Sequence, residues 1–206
     1  MVLVVEGAHQ PLADQALRAM FEARKRVFVD LLKWDVPVID GRFEVDQFDD
    51  EHAVYLIATD GRSDHVGSAR LRQTLGPHIL GTLFPELCAE APPRAPEILE
   101  ITRFCLSRDR SARERLETRN RLVFALAELA LARGISAYTA VAEFGWLQQI
   151  LAFGWHCRPL GSPKMLDGKL VGALRIEISE HTPALLAENG IRASAPLDLA
   201  AALEAA

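Results

Sequence analysis

Cysteine is scarce in this chain, with three among 206 residues. Cys88, Cys105 and Cys157 are odd in number, far apart and set among apolar neighbours. No disulfide framework and no Cys-x-x-Cys or Cys/His zinc spacing can be drawn from them. The six histidines add no ligand pattern, so a metal enzyme is not expected. No apolar run approaches the ~20 residues of a membrane helix. The opening residues MVLVVEGAHQ lack a basic region and a cleavage pattern, and a cytoplasmic protein is expected. A formal net charge of −5 gives no reason to expect nucleic acid as a partner. What is present is ordinary for a globular chain: 50% of residues are hydrophobic and 25% charged, enough to bury a core without disulfide or metal support.

Local patterns divide the chain into alternating elements. A short strand is expected at 2–5, and a long helix at 12–32 with Pro11 at its start. Residues 33–50 read as loop, because Pro37, Asp40 and Gly41 break any period. Strands are expected at 52–59 and 65–72, joined by the turn DGRSD. A short helix at 79–88 is interrupted by Pro85, and APPRAP leads into a strand at 97–107. A strong helix at 114–133 ends at Gly134. A strand at 136–142, a helix at 143–153, strands at 155–160 and 169–178, and a short helix at 183–189 follow. The tail LDLAAALEAA, within 196–206, is helix-prone and expected to fray. Alternation of helices and strands, with hairpin-like pairs among them, predicts an α/β fold in one domain, 1–206, with a mixed central sheet flanked by helices.

Several charges fall where apolar residues belong. Residues 43–52, FEVDQFDDEH, hold Glu44, Asp46, Asp49, Asp50 and Glu51 just before the strand-like run AVYLIATD. Such a run is either a solvated loop or a site for a cationic group. Arg24 lies four residues from both Met20 and Phe28 on the apolar stripe of the first helix, so it calls for an anionic partner or a ligand, or else lies at the stripe's edge. In EILEITRFCLS both strand faces are mostly apolar, yet one carries Glu100 and the other Arg103. A β-bulge between them would turn both to one side, as a structural or a catalytic pair. Arg70 is a further cation in a strand. Arginines, carboxylates and aromatic Trp34 together fit a ligand with both signs of charge, such as S-adenosylmethionine.

The order Arg24, Phe28, Trp34, Glu44-x-Asp46-x-x-Asp49, Arg70-Leu71, Phe84-Pro85 and Glu100-x-x-Arg103-Phe104 resembles the acyl-homoserine-lactone synthases, the autoinducer synthases of quorum sensing. The signature half is about 20–107, and the acyl-chain and carrier half, about 108–195, is similar more loosely. Two departures stand out. Arg72, Gln73 and Thr74 follow Leu71 where the family often has Leu-Pro-Thr, and Thr102 replaces a common serine. The resemblance implies a fold like the GCN5-related N-acetyltransferases. It also implies acyl transfer from a thioester to S-adenosylmethionine, with lactonisation and release of methylthioadenosine, and no cofactor beyond these substrates.

By that resemblance Glu100 and Arg103 are the catalytic candidates. Arg24, Phe28, Trp34, Asp46, Asp49, Arg70 and Arg103 bind S-adenosylmethionine, while Asp50 and Glu51 match no role. Phe104, Thr139, Val141, Phe144, Leu147 and Leu151 are candidate acyl-pocket liners, each with ordinary core packing as the alternative, and Thr139 is the residue to read an acyl substituent. The run RDRSARERLETRNR has six arginines against three acids, and suits an acidic acyl carrier protein, coenzyme A phosphates or a solvated helix start. The acyl carrier protein is the favoured donor and a coenzyme A thioester the alternative. An N-acetyltransferase acting on another amine is disfavoured, because the loop SRDRSARE has no glycine for a pyrophosphate. A non-catalytic ligand-binding member is the remaining rival.

Overall fold

Asp14 starts the first helix of the computed structural model, which describes residues 1–7, 12, 14–60 and 64–192. Its carboxylate accepts the Leu17 N–H at 2.9 Å, an N-cap that satisfies an otherwise orphaned donor. In chain order the elements are β1 (Val2–Glu6), α1 (Gln15–Arg24), β2 (Val38–Ile39), β3 (Phe43–Glu44), β4 (Val54–Thr59), β5 (His65–Gln73), α2 (Ile79–Leu83), β6 (Ile98–Leu106) and α3 (Ala112–Ala132). They continue with β7 (Ala137–Glu143), α4 (Phe144–Leu151), β8 (Cys157–Pro159), β9 (Lys164–Leu166), β10 (Lys169–Glu177) and α5 (Thr182–Glu188). The mixed α/β class expected from the sequence is the class found. Pro11 and the tail 196–206 lie outside the described residues.

The chain forms two compact units. Met1–Arg70 and Arg103–Ala125 belong to the first, Leu71–Thr102 and Leu126–Arg192 to the second. Strands β5 and β6 and helix α3 each contribute residues to both.

In the first unit the strand order is β1-β4-β5-β6, and β1 runs antiparallel to β4. Leu17, Met20 and Phe21 of α1 bury against Phe43, Ala53, Tyr55 and Ile57. The helix expected to run on to residue 32 instead widens into a π-helix over Lys25–Leu31, a form frequent at functional sites. The segment expected as loop contains the β2–β3 hairpin. Asp40 and Gly41 both take positive φ, 52° and 63°, and the Arg42 N–H closes the turn on the Ile39 carbonyl. Asp-Gly is the pair this turn requires. Ser111 and Glu114 form a reciprocal cap at the start of α3.

The second unit continues the order β5-β6-β7-β10-β8, with β9 paired to β10. Strands β6 and β7 run parallel, in register Ile98↔Ala137 to Ile101↔Ala140; β10 is antiparallel to β7, β8 and β9. Strand β9, absent from the sequence-based expectation, joins β10 through a second Asp-Gly turn, Asp167 and Gly168, with φ of 48° and 77°. One sheet face is covered by Leu80 and Leu87 against Ala173 and Val141. On the other, the Tyr138 hydroxyl donates to the Leu126 carbonyl of α3 at 2.9 Å.

Candidate active site

Three arginines and three carboxylates of the first unit close into a ring of alternating charge. Arg24 contacts Glu44 at 2.5 Å and Asp49 at 2.8 Å. Arg70 contacts Asp49 at 2.8 Å and Asp46 at 2.6 Å. Arg103 contacts Asp46 at 2.6 Å and Glu44 at 3.0 Å. Each cation bridges two anions and each anion two cations, so the ring is neutral. All six side chains are nearly excluded from water, Arg103 being the most exposed at 9%. Charges this deep persist only when paired and fully hydrogen-bonded.

The acidic stretch therefore folds inward. Asp46 and Asp49 accept more than the guanidinium protons. The Phe48 N–H reaches Asp46 at 2.8 Å, the Asp46 N–H reaches Asp49 at 2.9 Å, and the Tyr55 hydroxyl reaches Asp49 at 2.9 Å. Their lone-pair positions are filled by protein donors. These two aspartates hold the arginines in place. Asp50 is likewise engaged, accepting the His52 N–H at 2.9 Å.

The electrostatics follow the geometry. Burial alone would raise the Asp49 carboxyl, but the Arg24 and Arg70 charges outweigh it and hold the group well below the usual carboxylate range. Burial works against the Arg24 and Arg70 cations too, and is overcome by Asp49 and by the second carboxylate beside each. Burial and the Asp49 charge push the Tyr55 hydroxyl up, which keeps it a donor. Glu44 and Tyr55 are absent from the sequence-derived site residues. Glu44 carries a readable signal, its place in Glu-x-Asp-x-x-Asp in a chain whose core arginines call for anionic partners. Tyr55 in an apolar strand carries none.

An aromatic pair stands next to the ring. Phe28 and Trp34 stack with centroids 4.7 Å apart and planes 19° apart. The π-helix presents Phe28, Lys33 turns the chain with φ of 58°, and the Trp34 N–H returns to the Phe28 carbonyl at 2.9 Å. The Arg103 guanidinium lies 5.5 Å from the Phe28 centroid and 5.7 Å from that of Trp34. These two rings already accommodate a cation.

Arg103 reaches the ring through a break in β6. Its φ is 48°, a conformation costly for a non-glycine residue and often found at functional sites. Thr74 donates to the Ile98 carbonyl, a pairing that would set Val66 opposite Leu106. The Val66 carbonyl instead receives the Ser107 N–H, one residue later. One extra residue is thus accommodated in β6. In the first unit the Ser107–Val66 bond sets Arg103 opposite Arg70, and in the second the Thr74–Ile98 bond sets Glu100 opposite Arg72.

In the second unit Glu100 is fully buried, and its two oxygens accept the Ile79 N–H at 2.7 Å and the Leu80 N–H at 2.6 Å. Thr139 lies beside it on β7, fully buried, with no partner for its hydroxyl. Val141 shares that face with Ala173. Leu147 of α4 does not, because it packs over Gly172, on the opposite face. Phe144 and Leu151 are 36% and 37% exposed. The expected acyl liners of this unit therefore divide between the two faces of the sheet. Phe104 is a half-buried residue of the first unit.

The arginine run is largely committed to local bonds. Arg110 pairs with Asp60 at 2.7 Å, Arg113 with Glu117 at 2.9 Å, and Arg121 donates to the Thr59 carbonyl at 3.2 Å. Arg108 is exposed.

Known proteins resemble this chain over most of its length. The autoinducer synthase family model matches residues 9–185. The isovaleryl-homoserine lactone synthase of Bradyrhizobium diazoefficiens is 33% identical over 185 residues, covering 88% of this chain and 82% of that protein. The structure of a CoA-dependent acyl-homoserine lactone synthase, BjaI, with SAM and isopentyl-CoA matches with a TM-score of 0.82 at 29% identity, over 100% of this chain and 99% of that one. A putative N-acetyltransferase from Lactobacillus plantarum, at 18% identity, TM-score 0.54 and coverage of 86% of this chain and 99% of that one, shares the fold alone. The match over residues 9–185 spans both the charged ring and Glu100, and the chain belongs to the autoinducer synthase family, the acyl-homoserine-lactone synthases, which are acyltransferases.

Proposed function

We propose that this chain transfers an acyl group from a thioester to the amine of S-adenosylmethionine and then closes the homoserine lactone, releasing methylthioadenosine as a quorum-sensing signal is made. The observation that carries this reading is the closed ring of Arg24, Arg70 and Arg103 with Glu44, Asp46 and Asp49, which joins the family's signature positions in one neutral, rigid wall. Arg103, the most exposed cation of the ring, meets the substrate carboxylate, and Arg24 and Arg70 hold the Glu44 and Asp46 carboxylates that orient it. Phe28 and Trp34 offer an aromatic face to the sulfonium. Asp46 and Asp49 act through the arginines they hold.

In the first step the amine nitrogen bonds to the thioester carbonyl carbon, the carbon–sulfur bond breaks, and the departing thiolate ends as a thiol. Glu100 takes the amine proton, directly or through one water. Its two oxygens are held by the Ile79 and Leu80 N–H groups, which fix the orientation of the carboxylate. In the second step a carboxylate oxygen bonds to the γ-carbon as the carbon–sulfonium bond breaks, so neutral methylthioadenosine leaves and orientation supplies most of the assistance. Thr139 and Val141 line the acyl side, and the unpartnered Thr139 hydroxyl suits an oxygen on the acyl chain. The reading needs no cofactor or metal, and it places the reaction in the cytoplasm.

An acyl carrier protein is the donor favoured by the arginine run, of which Arg108 and Arg113 are the exposed members. Coenzyme A thioesters are a second reading, favoured by the likeness to CoA-dependent BjaI. The test is incubation with S-adenosylmethionine and a panel of acyl-carrier-protein and acyl-coenzyme A thioesters, followed by mass spectrometry. Methylthioadenosine and an acyl-homoserine lactone appear together with the correct thioester. Thiol release without methylthioadenosine would mean that another amine is acylated. Glu100→Gln is expected to abolish amide formation while circular dichroism still reports a fold, and near wild-type turnover would remove Glu100 from the role of base.

A further inference from the structure

Arg72 of β5 is a charged side chain only 3% exposed. The Thr74–Ile98 hydrogen bond fixes the pairing of β5 with β6 at this end and sets Arg72 opposite Glu100. Directly opposed residues of an antiparallel pair project from the same face, with Cβ atoms roughly 5 Å apart. On the other side of Glu100 the β7 neighbour is Thr139, which carries no charge. The next residue in the row, Arg175 of β10, is bound to Glu177 at 2.7 Å. From the α2 segment the titratable neighbour is His78, whose Nδ1 meets the Gly76 carbonyl at 2.9 Å. Arg72 is thus the cation placed to balance the buried Glu100 carboxylate.

It also holds the segment that donates to that carboxylate. The Arg72 Nη2 donates to the Pro77 carbonyl at 3.4 Å, two residues before the Ile79 N–H that reaches Glu100. A planar guanidinium can serve a carbonyl and a carboxylate at once, and an aliphatic residue can serve neither. We infer that Arg72 is the positioning residue of Glu100: it fixes the carboxylate from the β5 side, and through Pro77 it fixes the backbone N–H groups that hold it from the α2 side. This rests on the reading of Glu100 as the base. A buried carboxylate that loses its cation takes up a proton at higher pH, and a protonated Glu100 cannot accept the amine proton.

The test combines kinetics and stability on the full chain, with the thioester that supports methylthioadenosine release as the probe. Arg72→Leu is expected to lower kcat at least tenfold with little change in KM for S-adenosylmethionine, and to move the acidic limb of the pH–rate profile upward by about one pH unit. Arg72→Lys, which keeps the charge, is expected to return the limb most of the way. If Arg72→Leu does not fold, Arg72→Gln reports the same limb. In denaturant, the loss of midpoint from Arg72→Gln and Glu100→Gln together should be smaller than the sum of the two single losses. An unmoved limb or additive losses would overturn the inference. If Glu100→Gln stays active while the losses are non-additive, the base reading falls and the pairing stands.

Discussion

Changing Asp49 to asparagine takes one charge from a ring in which every member is shared. Asp49 accepts both terminal nitrogens of Arg24, one of Arg70, the Tyr55 hydroxyl and the Asp46 N–H. Asparagine offers one oxygen and turns a donor amide towards the remaining protons. Arg24 and Arg70, both buried, keep their charges and lose their common anion. Removing one partner of a buried pair costs about 3–5 kcal/mol, a large part of the ~5–15 kcal/mol that holds a protein folded. At a urea dependence of roughly 2 kcal/mol per molar the midpoint should fall by about 2 M. The control is Arg113–Glu117, with side chains 88% and 55% exposed, where Glu117→Gln should cost less than about 1 kcal/mol. Combining Asp49→Leu with Arg24→Met restores neutrality, so the double change should cost less than the sum of the single ones. If Asp49→Asn costs no more than the surface pair, or if the double change is additive, the ring is not the electrostatic unit described.

Two further outcomes test other parts of the first unit. Burial, aided by the Arg24 and Arg26 charges, lowers the His65 imidazolium from 6.5 to about 4. The unfolded chain therefore takes up the proton first as pH falls. Stability should be full above about pH 6.5 and decline between there and about pH 4, with the urea midpoint measured from pH 7 to 5 showing a slope that His65→Asn flattens. At Gly67 a Cβ would lie 2.7 Å from the Thr118 Cγ2 and 3.1 Å from the Cys105 carbonyl. Gly67→Ala should lose about 1–3 kcal/mol by overpacking, and adding Thr118→Ser, which removes that methyl, should restore part of the loss in thermal unfolding.

Most elements are legible in the sequence because their signals are local. Short strand-like runs bounded by turn residues mark β4, β5 and β6, and the apolar helical stripe marks α1. The elements not anticipated are short and depend on single dipeptides. Asp40-Gly41 and Asp167-Gly168 form turns with positive φ, which brings out β2, β3 and β9. Nothing local marks the change to a π-helix at Lys25, whose residues keep an ordinary helical composition.

By itself the sequence determines that this chain builds a mixed sheet with helices, that arginines and carboxylates enter its interior, and that their order is that of the autoinducer synthases. Those features reside in residue type and spacing. Only the tertiary structure decides which charge meets which. Glu44 stands 20 residues from Arg24 and 59 from Arg103, and the two cations reach it from a helix and from a bulged strand. The same packing separates Leu147 from Thr139 and Val141, because a sheet has two faces and α4 covers the one those residues do not share. It also brings Asp46 and Asp49 against three arginines that lie 21 to 57 residues away along the chain. A buried carboxylate is saturated by whatever donors the fold brings within about 3 Å, and spacing along the chain does not set that distance.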